Sequence, residues 1–173
     1  MAAGGGLSEI RTPRLRLRRA RMEDLHGIHR VLSNPRAMLY WSTPPHRTLE
    51  ESCTWLASMI DVPEHENADF VIEHAGAVIG KAGCWRMPEI GFILHPDYWG
   101  QGFAREAVRA VVDHVFGRFF GVPAIIADVD PRNAASLALL NRLGFVETHR
   151  AARTIQVGDT WCDSIYLARE RPG

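Results

Sequence analysis

The segment from residue 89 to residue 115 constrains the fold more than any other part of the chain. An apolar run typical of a strand, residues 89–94, leads into a turn that contains Gly100 and Gly102, and apolar residues at helical spacing follow. The first N–H groups of a helix have no intrahelical partner, and the helix dipole adds partial positive charge there. Because glycine lets the main chain approach a ligand closely, this order predicts a backbone site for a phosphate group.

Two other structures also contain a glycine turn between a strand and a helix. A plain strand-to-helix connection needs glycines only for the turn itself. The dinucleotide-binding fingerprint needs a third glycine and an acidic residue about 20 residues further on. This chain lacks the third glycine. It also lacks the acidic residue, because Gly121, Val122 and Pro123 stand about 20 residues after the turn. The pattern therefore argues against a nicotinamide or flavin fold.

The composition is typical of one globular domain of ordinary size. The chain has 173 residues, 46% of them hydrophobic, and its formal net charge is zero. Zero net charge gives no general attraction to nucleic acid or to an anionic membrane. The arginines that alternate with Leu15 and Leu17 indicate a solvated strand face rather than a nucleic-acid patch. We expect a domain over residues 9–170 and a disordered tail over residues 1–8.

The sequence carries no signature of a metal site, a disulfide or a membrane segment. Cys53, Cys84 and Cys162 are isolated from one another, so neither a disulfide framework nor a zinc site is expected. No apolar run reaches the roughly 18 residues of a membrane span, and the N-terminus lacks the pattern of a signal peptide. We therefore expect a cytoplasmic protein without a membrane partner.

The periodicity of the chain predicts a mixed α/β domain of about seven strands with flanking helices. Asp24 is placed to cap the first helix, and Thr48 with Glu51 forms a capping-box pattern before the second. Gly144 is placed to end the last helix. The predicted order is strand, two helices, three strands, helix, strand, helix and a final hairpin.

Four stretches of the chain match the motifs of one enzyme family in their order and spacing, over most of residues 10–168. They are residues 11–18 with Glu23 and Asp24, residues 89–92, residues 95–107, and residues 133–136 with residues 143–145. On these motifs the chain resembles the GNAT superfamily of N-acetyltransferases. Within that superfamily it is most similar to the branch of the ribosomal-protein-alanine N-acetyltransferases.

The resemblance implies a co-substrate, acetyl-CoA, bound where two central strands of a mixed, mostly antiparallel sheet splay apart. It places the pantetheine arm against the backbone of Phe92, Ile93 and Leu94. Asn133 and Ser136 would contact the pantetheine and its sulfur, while Asn133 is equally suited to be an ordinary helix N-cap. The residues implied to hold the diphosphate are Trp99, Gly100, Gln101, Gly102, Phe103, Ala104 and Arg105.

The implied reaction is direct attack of a primary amine on the bound thioester in a ternary complex. Glu89 is the candidate base, because the family often has a carboxylate at this position. Many family members have a tyrosine that protonates the leaving thiolate, but the matching residue here is Leu140, so the role falls to Ser136, to water or to no group at all. Trp41 and Trp161, in a loop and in the final hairpin, are candidates for contact with the acceptor.

Several functional alternatives stay open at this point. The acceptor is either a protein N-terminal α-amine or a small-molecule amine, and the protein is either a monomer or a homodimer. A catalytically silent acyl-CoA-binding sensor or scaffold is a second functional class, favoured by the missing tyrosine. A nucleic-acid-binding domain is disfavoured by the zero net charge, so no nucleic-acid partner is expected.

Overall fold

Residues 9–63 and 65–173, which the computed structural model describes, form an open eight-stranded sheet with helices on both faces. The predicted tail over residues 1–8 lies outside these residues. The sheet order is β1-β2-β3-β4-β5-β6-β8-β7. The strands are β1 Glu9–Arg11, β2 Arg16–Arg18, β3 Ala68–His74, β4 Ala77–Arg86, β5 Glu89–Leu94, β6 Ala124–Val129, β7 Val146–Val157 and β8 Thr160–Glu170. The helices are α1 Leu25–Leu32, α2 Leu49–Ile60, α3 Phe103–Arg118 and α4 Ala134–Arg142.

The predicted mixed α/β class with a mostly antiparallel sheet is confirmed, and the sheet has one strand more than the sequence predicts. The additional strand is β1, in which Ile10 pairs with Leu17 of β2. β1 contains a single apolar residue, so it shows no alternation of apolar and polar residues, whereas Leu15 and Leu17 alternate with arginines at β2. Only its pairing with β2 in the folded sheet identifies β1 as a strand.

Local capping sets the start of α2 as predicted, but α1 begins differently. Thr48 Oγ1 accepts a hydrogen bond from the Glu51 N–H at 3.2 Å, and a Glu51 carboxylate oxygen accepts one from the Thr48 N–H at 3.2 Å. Asp24 precedes α1, yet its side chain makes no capping hydrogen bond to that helix. Its carboxylate instead accepts from the Arg21 N–H and, at both oxygens, from the guanidinium of Arg18, and a paired bond between two charged groups is strong.

Two hydrophobic clusters hold the helices to opposite faces of the sheet. Val111 of α3 and Leu56 of α2 are completely buried, one in each cluster. Because strand side chains alternate, Ile90 and Leu94 of β5 join the α3–α4 cluster and Ile93 joins the α1–α2 cluster. The two clusters thereby fix the face of the sheet to which each side chain of β5 points.

The central strands β5 and β6 run parallel and share a single register pair, Glu89 with Ile126. The Ile126 N–H donates to the Pro88 carbonyl at 3.1 Å. Within the described residues no further pair joins these strands, so they diverge toward Leu94 and Val129. The facing edges therefore carry backbone groups without a sheet partner. This gap corresponds to the splayed cleft that the family resemblance implies.

The described part of the chain contains no helix that is long and apolar enough to cross a membrane. Its side chains also form no group of three or more histidine, cysteine, aspartate or glutamate residues that could hold a metal ion. Cys53, Cys84 and Cys162 are free thiols. Burial raises the pKa of the Cys84 thiol to about 12, so this cysteine is a core residue and not a nucleophile.

A buried ion pair joins the N-terminal strands to the start of α1. Arg18 Nη2 lies 2.7 Å from Asp24 Oδ1, and Arg18 Nε lies 3.0 Å from Glu73 Oε2. The Arg18 and Asp24 side chains are only 9% and 5% exposed. A charge removed from water in this way depends on its partner, because it has lost its hydration.

Asp24→Ala should lower the free energy of unfolding by about 3 kcal/mol, because Arg18 would stay buried with one of its two carboxylates missing. Glu147→Ala is the matched control, since it breaks an exposed ion pair with Arg150 whose N–O distance is 2.7 Å. That change should cost less than about 1 kcal/mol. Urea unfolding followed by circular dichroism measures both values. Equal losses in the two variants would contradict a special role for the buried pair.

Candidate active site

The turn between β5 and α3 presents backbone N–H groups at the start of a helix. Gly100 and Gly102 have φ angles of +72° and +81°, which residues with a Cβ rarely adopt. A Cβ built on Gly100 would meet no atom within 4 Å, so the turn is open on that side. Glu106 is the first residue of α3 whose N–H has a backbone acceptor among the described residues, the Gly102 carbonyl at 3.0 Å. The unpaired N–H groups before it can bind an anion such as a diphosphate.

The side chains of this turn have different roles. The Trp99 indole N–H donates to the Leu94 carbonyl at 2.9 Å and fixes the turn to the end of β5. Gln101 Nε2 donates to the Asp97 carbonyl at 3.0 Å. Phe103 is buried and Arg105 is exposed. Phe103 therefore offers a ligand only its backbone, whereas Arg105 has a side chain in solvent.

Alternate backbone groups of β5 face the gap between β5 and β6. The His95 N–H donates to the Ile79 carbonyl of β4 at 2.9 Å. Successive backbone N–H groups of a strand point to opposite sides. The Ile93 N–H therefore also points toward β4, and the N–H groups of Phe92 and Leu94 point toward the gap. Phe92 and Leu94 are thus placed to contact a ligand in the gap, while the backbone of Ile93 belongs to the β4–β5 ladder.

Asn133 and Ser136 begin α4 on the other side of the gap, after β6. Asn133 Oδ1 accepts a hydrogen bond from the Ser136 N–H at 3.1 Å, so Asn133 is the N-cap of this helix. The half-buried Ser136 hydroxyl makes no hydrogen bond within the described residues. Leu140, one turn further on, is fully buried and has no proton to give. Ser136 Oγ and Asn133 Nδ2 are the side-chain donors of this set that make no hydrogen bond within the described residues.

The predicted base lies on the α1–α2 face of β5. Ile90 faces the opposite cluster, so its neighbours Glu89 and Gly91 project to this face. Trp41 covers Gly91, because a Cβ built there would lie 3.9 Å from Trp41 Cη2. The half-buried Glu89 carboxylate lies 3.8 Å from Nη2 of Arg86. The structure therefore brings Glu89 and Trp41 to the same side of the strand.

Asp128 is a second carboxylate at the gap, and sequence reasoning missed it. Ala127 belongs to the α3–α4 cluster, so Ile126 and Asp128 face the same side of the sheet as Glu89. Since Glu89 is level with Ile126, Asp128 is level with Gly91 across the gap. A lone aspartate within an otherwise apolar strand was the signal available. The apolar content of the strand concealed it.

The structure places Trp161 near the tip of the β7–β8 hairpin, where it is 46% exposed and carries the Arg153 guanidinium 5.2 Å from its ring centroid. Among the described residues it forms no aromatic pair with Trp41. The Trp41 loop instead reaches the turn between β6 and α4, because the Arg132 guanidinium lies 5.7 Å from the ring centroid of Tyr40. Tyr40 and Arg132 are therefore the residues that bring this loop to the β6 side of the gap.

The only lysine in the chain lies buried beside Trp41. Lys81 Nζ donates to Asp69 Oδ2 at 2.8 Å and lies 5.8 Å from the centroid of the Trp41 ring. Gly83 makes room for the carboxylate, since a Cβ there would lie 2.6 Å from Asp69 Oδ1. This pair could not be predicted from the sequence, because its members come from two strands that meet only in the folded sheet.

Proteins of similar sequence are N-acetyltransferases. The spermidine N(1)-acetyltransferase of Vibrio cholerae is 30% identical over 142 residues, which cover 77% of this chain and 79% of that protein. The uncharacterized N-acetyltransferase p20 of Bacillus licheniformis is 28% identical over 148 residues, which cover 80% of this chain and 83% of that protein.

Solved structures share the fold over nearly the whole chain. The spermidine N-acetyltransferase from Vibrio cholerae in complex with CoA and spermine has a TM-score of 0.75 at 25% identity, covering 92% of this chain and 97% of that one. The ribosomal-protein-alanine acetyltransferase from Vibrio fischeri has a TM-score of 0.77 at 23% identity, covering 94% and 96%. The family model of the acetyltransferase (GNAT) domain matches residues 14–146. The predicted family is thereby confirmed, and this chain belongs to the GNAT acetyltransferase family.

Proposed function

We propose that this chain transfers the acetyl group of acetyl-CoA to a primary amine, by direct attack of the amine on the thioester in a ternary complex. The observation that carries the proposal is the set of unpaired N–H groups at the start of α3, beside the gap between β5 and β6. A diphosphate held there directs the pantetheine arm toward the free backbone edge of Phe92 and Leu94. A similar structure solved with CoA supports this choice of ligand.

Two groups at the gap can stabilise the charges that develop during the transfer. The Leu94 N–H points into the gap and is the candidate donor for the oxyanion of the tetrahedral intermediate. The Ser136 hydroxyl is the candidate donor for the departing thiolate. A thiol has a pKa near 8.5, so the thiolate leaves near neutral pH without a strong acid. The burial of Leu140 is therefore compatible with turnover.

The work required of a base depends on the acceptor. At pH 7 an α-amine with a pKa of about 7.8 costs about 1 kcal/mol to deprotonate, and an alkylamine with a pKa near 10.4 costs about 4.6 kcal/mol. Glu89 lies at the start of the strand that would present the acetyl group, half-buried on the acceptor side. We assign it the role of base, acting directly or through one water.

We favour a small cationic amine as the acceptor. Glu89 and Asp128 place carboxylates on both sides of the gap, and Trp41 adds an aromatic ring on the same face. Carboxylates and aromatic rings both attract ammonium groups. The spermidine acetyltransferase among the sequence relatives agrees with this choice. A protein N-terminal α-amine is the alternative acceptor, and a catalytically silent acyl-CoA-binding module is the alternative function.

One experiment separates these possibilities. The protein is incubated with acetyl-CoA and a mixed set of polyamines, monoamines and peptides with free N-termini, and the products are read by mass spectrometry. Acetylated polyamines would support the favoured acceptor, and acetylated peptides would replace it with the N-terminal α-amine. Tight CoA binding in calorimetry without any acetylated product would support the silent module. Absence of CoA binding would reject all three.

Glu89→Gln should leave the affinity for CoA unchanged and lower the turnover of a polyamine by roughly a hundredfold, a typical loss for a general base. With a peptide acceptor the loss should be smaller, because an α-amine is already partly neutral at pH 7. Steady-state kinetics as a function of pH measure both effects, and Glu147→Gln is the surface control. An unchanged pH–rate profile in the Glu89 variant would remove Glu89 from the mechanism.

Asp128→Asn should raise the KM for spermidine by roughly tenfold, because a nearby carboxylate attracts an ammonium group by about 1 kcal/mol or more at a partly buried site. The KM for acetyl-CoA should stay the same, and a monoamine should be affected less than spermidine. Initial-rate measurements with each amine test this expectation. A parallel change in both KM values would instead indicate a damaged sheet.

Gly102→Ala should weaken CoA binding by roughly tenfold, because a positive φ costs a residue with a Cβ about 1 kcal/mol and shifts the turn. Gly158→Ala is the matched control: its φ is +59°, and a Cβ there meets nothing within 4 Å. Both variants should lose similar thermal stability, but only the first should lose affinity in calorimetry. Equal affinity in the two variants would contradict the diphosphate site.

A further inference from the structure

The short link between β1 and β2 is tied to the first turn of α3, far away in the sequence. Thr12 Oγ1 donates to Glu106 Oε1 at 2.6 Å, and the Arg14 N–H donates to the same oxygen at 2.9 Å. Arg14 Nε donates to Glu106 Oε2 at 2.7 Å, and Arg14 Nη1 donates to the Gln101 carbonyl at 2.8 Å. One guanidinium therefore connects the glycine turn to the helix that follows it.

The Arg14 side chain also lies against the residues between these two contacts. Its guanidinium carbon is 4.4 Å from the centroid of the Phe103 ring. A Cβ built on Gly102 would lie 3.3 Å from Arg14 Nη2. Arg14 thus touches the turn at the residues that present unpaired N–H groups, and it restricts how the turn can move.

Glu106 poses an electrostatic problem that this arrangement solves. A carboxylate in the first turn of a helix is attracted to the same positive end that an anionic ligand uses, so a free carboxylate there competes with the ligand. Burial works to raise the pKa of Glu106, but hydrogen bonds from Thr12 and Arg14 outweigh it and hold that pKa below its usual value. Glu106 is therefore charged, and its charge is directed into the β1–β2 link.

We propose that Arg14 is a positioning residue for the diphosphate of acetyl-CoA: it holds the Gln101 carbonyl and the Glu106 carboxylate so that the N–H groups between them stay free for the ligand. This inference rests on the proposed use of acetyl-CoA. Arg14 acts through the turn and takes no part in the transfer of the acetyl group. Its loss should therefore affect only donors that carry the diphosphate.

A role limited to general stability is a weaker explanation of these contacts. The Arg14 side chain is 43% exposed, so its removal leaves no buried cavity. The β1–β2–β3 ladder and the Arg18–Asp24 pair hold the N-terminal strands independently of Arg14. Three of the four hydrogen bonds end on Glu106 and the fourth on the Gln101 carbonyl, so together they fix the glycine turn relative to the start of α3.

The test compares two acetyl donors, acetyl-CoA and S-acetyl-pantetheine, which lacks the diphosphate. Arg14→Met should raise the KM for acetyl-CoA by roughly tenfold with kcat nearly unchanged, the size expected for a coupled contact. Its kcat/KM with S-acetyl-pantetheine should equal that of the unmodified protein. The KM of Arg14→Lys for acetyl-CoA should lie between those of the unmodified protein and Arg14→Met. A lysine ammonium group lacks the planar fork of donors with which arginine reaches both partners.

Arg109→Met is the matched control, because Arg109 lies on α3, the helix that Arg14 contacts, and forms only an exposed pair with Asp113 at 3.9 Å. It should leave the kinetics with both donors unchanged. An equal loss of activity with both donors in Arg14→Met would overturn the proposal in favour of a purely structural role, and no loss with either donor would overturn it as well. Calorimetry of the unmodified protein with CoA tests the proposed function separately from the role of Arg14. If CoA does not bind, the proposed function itself is rejected.

Discussion

The site is built around the separation of β5 and β6, which share a single pair of residues. Each of the two strands is held by another neighbour, β4 on one side and β8 on the other, so the gap between them does not collapse. The backbone groups that line it need a partner other than a strand. The turn that follows β5 brings the unpaired end of α3 to the same place. Together these two sets of unsatisfied groups create a site suited to a long, phosphate-bearing ligand.

Charge is distributed so that the two proposed ligands have separate sites. The start of α3 offers backbone N–H groups and partial positive charge, and the one carboxylate in its first turn, Glu106, is neutralised by Arg14. The α1–α2 face offers the carboxylates of Glu89 and Asp128. An anionic co-substrate and a cationic acceptor can therefore approach the gap from regions of opposite charge. The reacting atoms would meet where the strands separate.

Much of the local structure and part of the site could be predicted from the sequence. The capping box of Thr48 and Glu51 and the glycine turn at Gly100 and Gly102 depend on residues only a few positions apart, so a short window contains all the information they need. Asp24 was predicted at the right place in the chain but with the wrong hydrogen-bond partner. The guanidinium that binds Asp24 belongs to Arg18 in β2, and capping patterns do not take residues of other elements into account.

Neighbouring residues were enough to predict the order of all elements except β1, the glycine turn before α3 and the family, because hydrophobic period, glycine positions and motif spacing are local properties. The folded sheet was needed to show that Asp128 shares a face with Glu89, that Lys81 is buried against Asp69, and that Arg14 contacts the turn before α3. These contacts depend on strand register and on loops that close over long sequence separations. Register in turn is set by how two hydrophobic clusters pack on opposite faces of one sheet, which is a property of the whole chain.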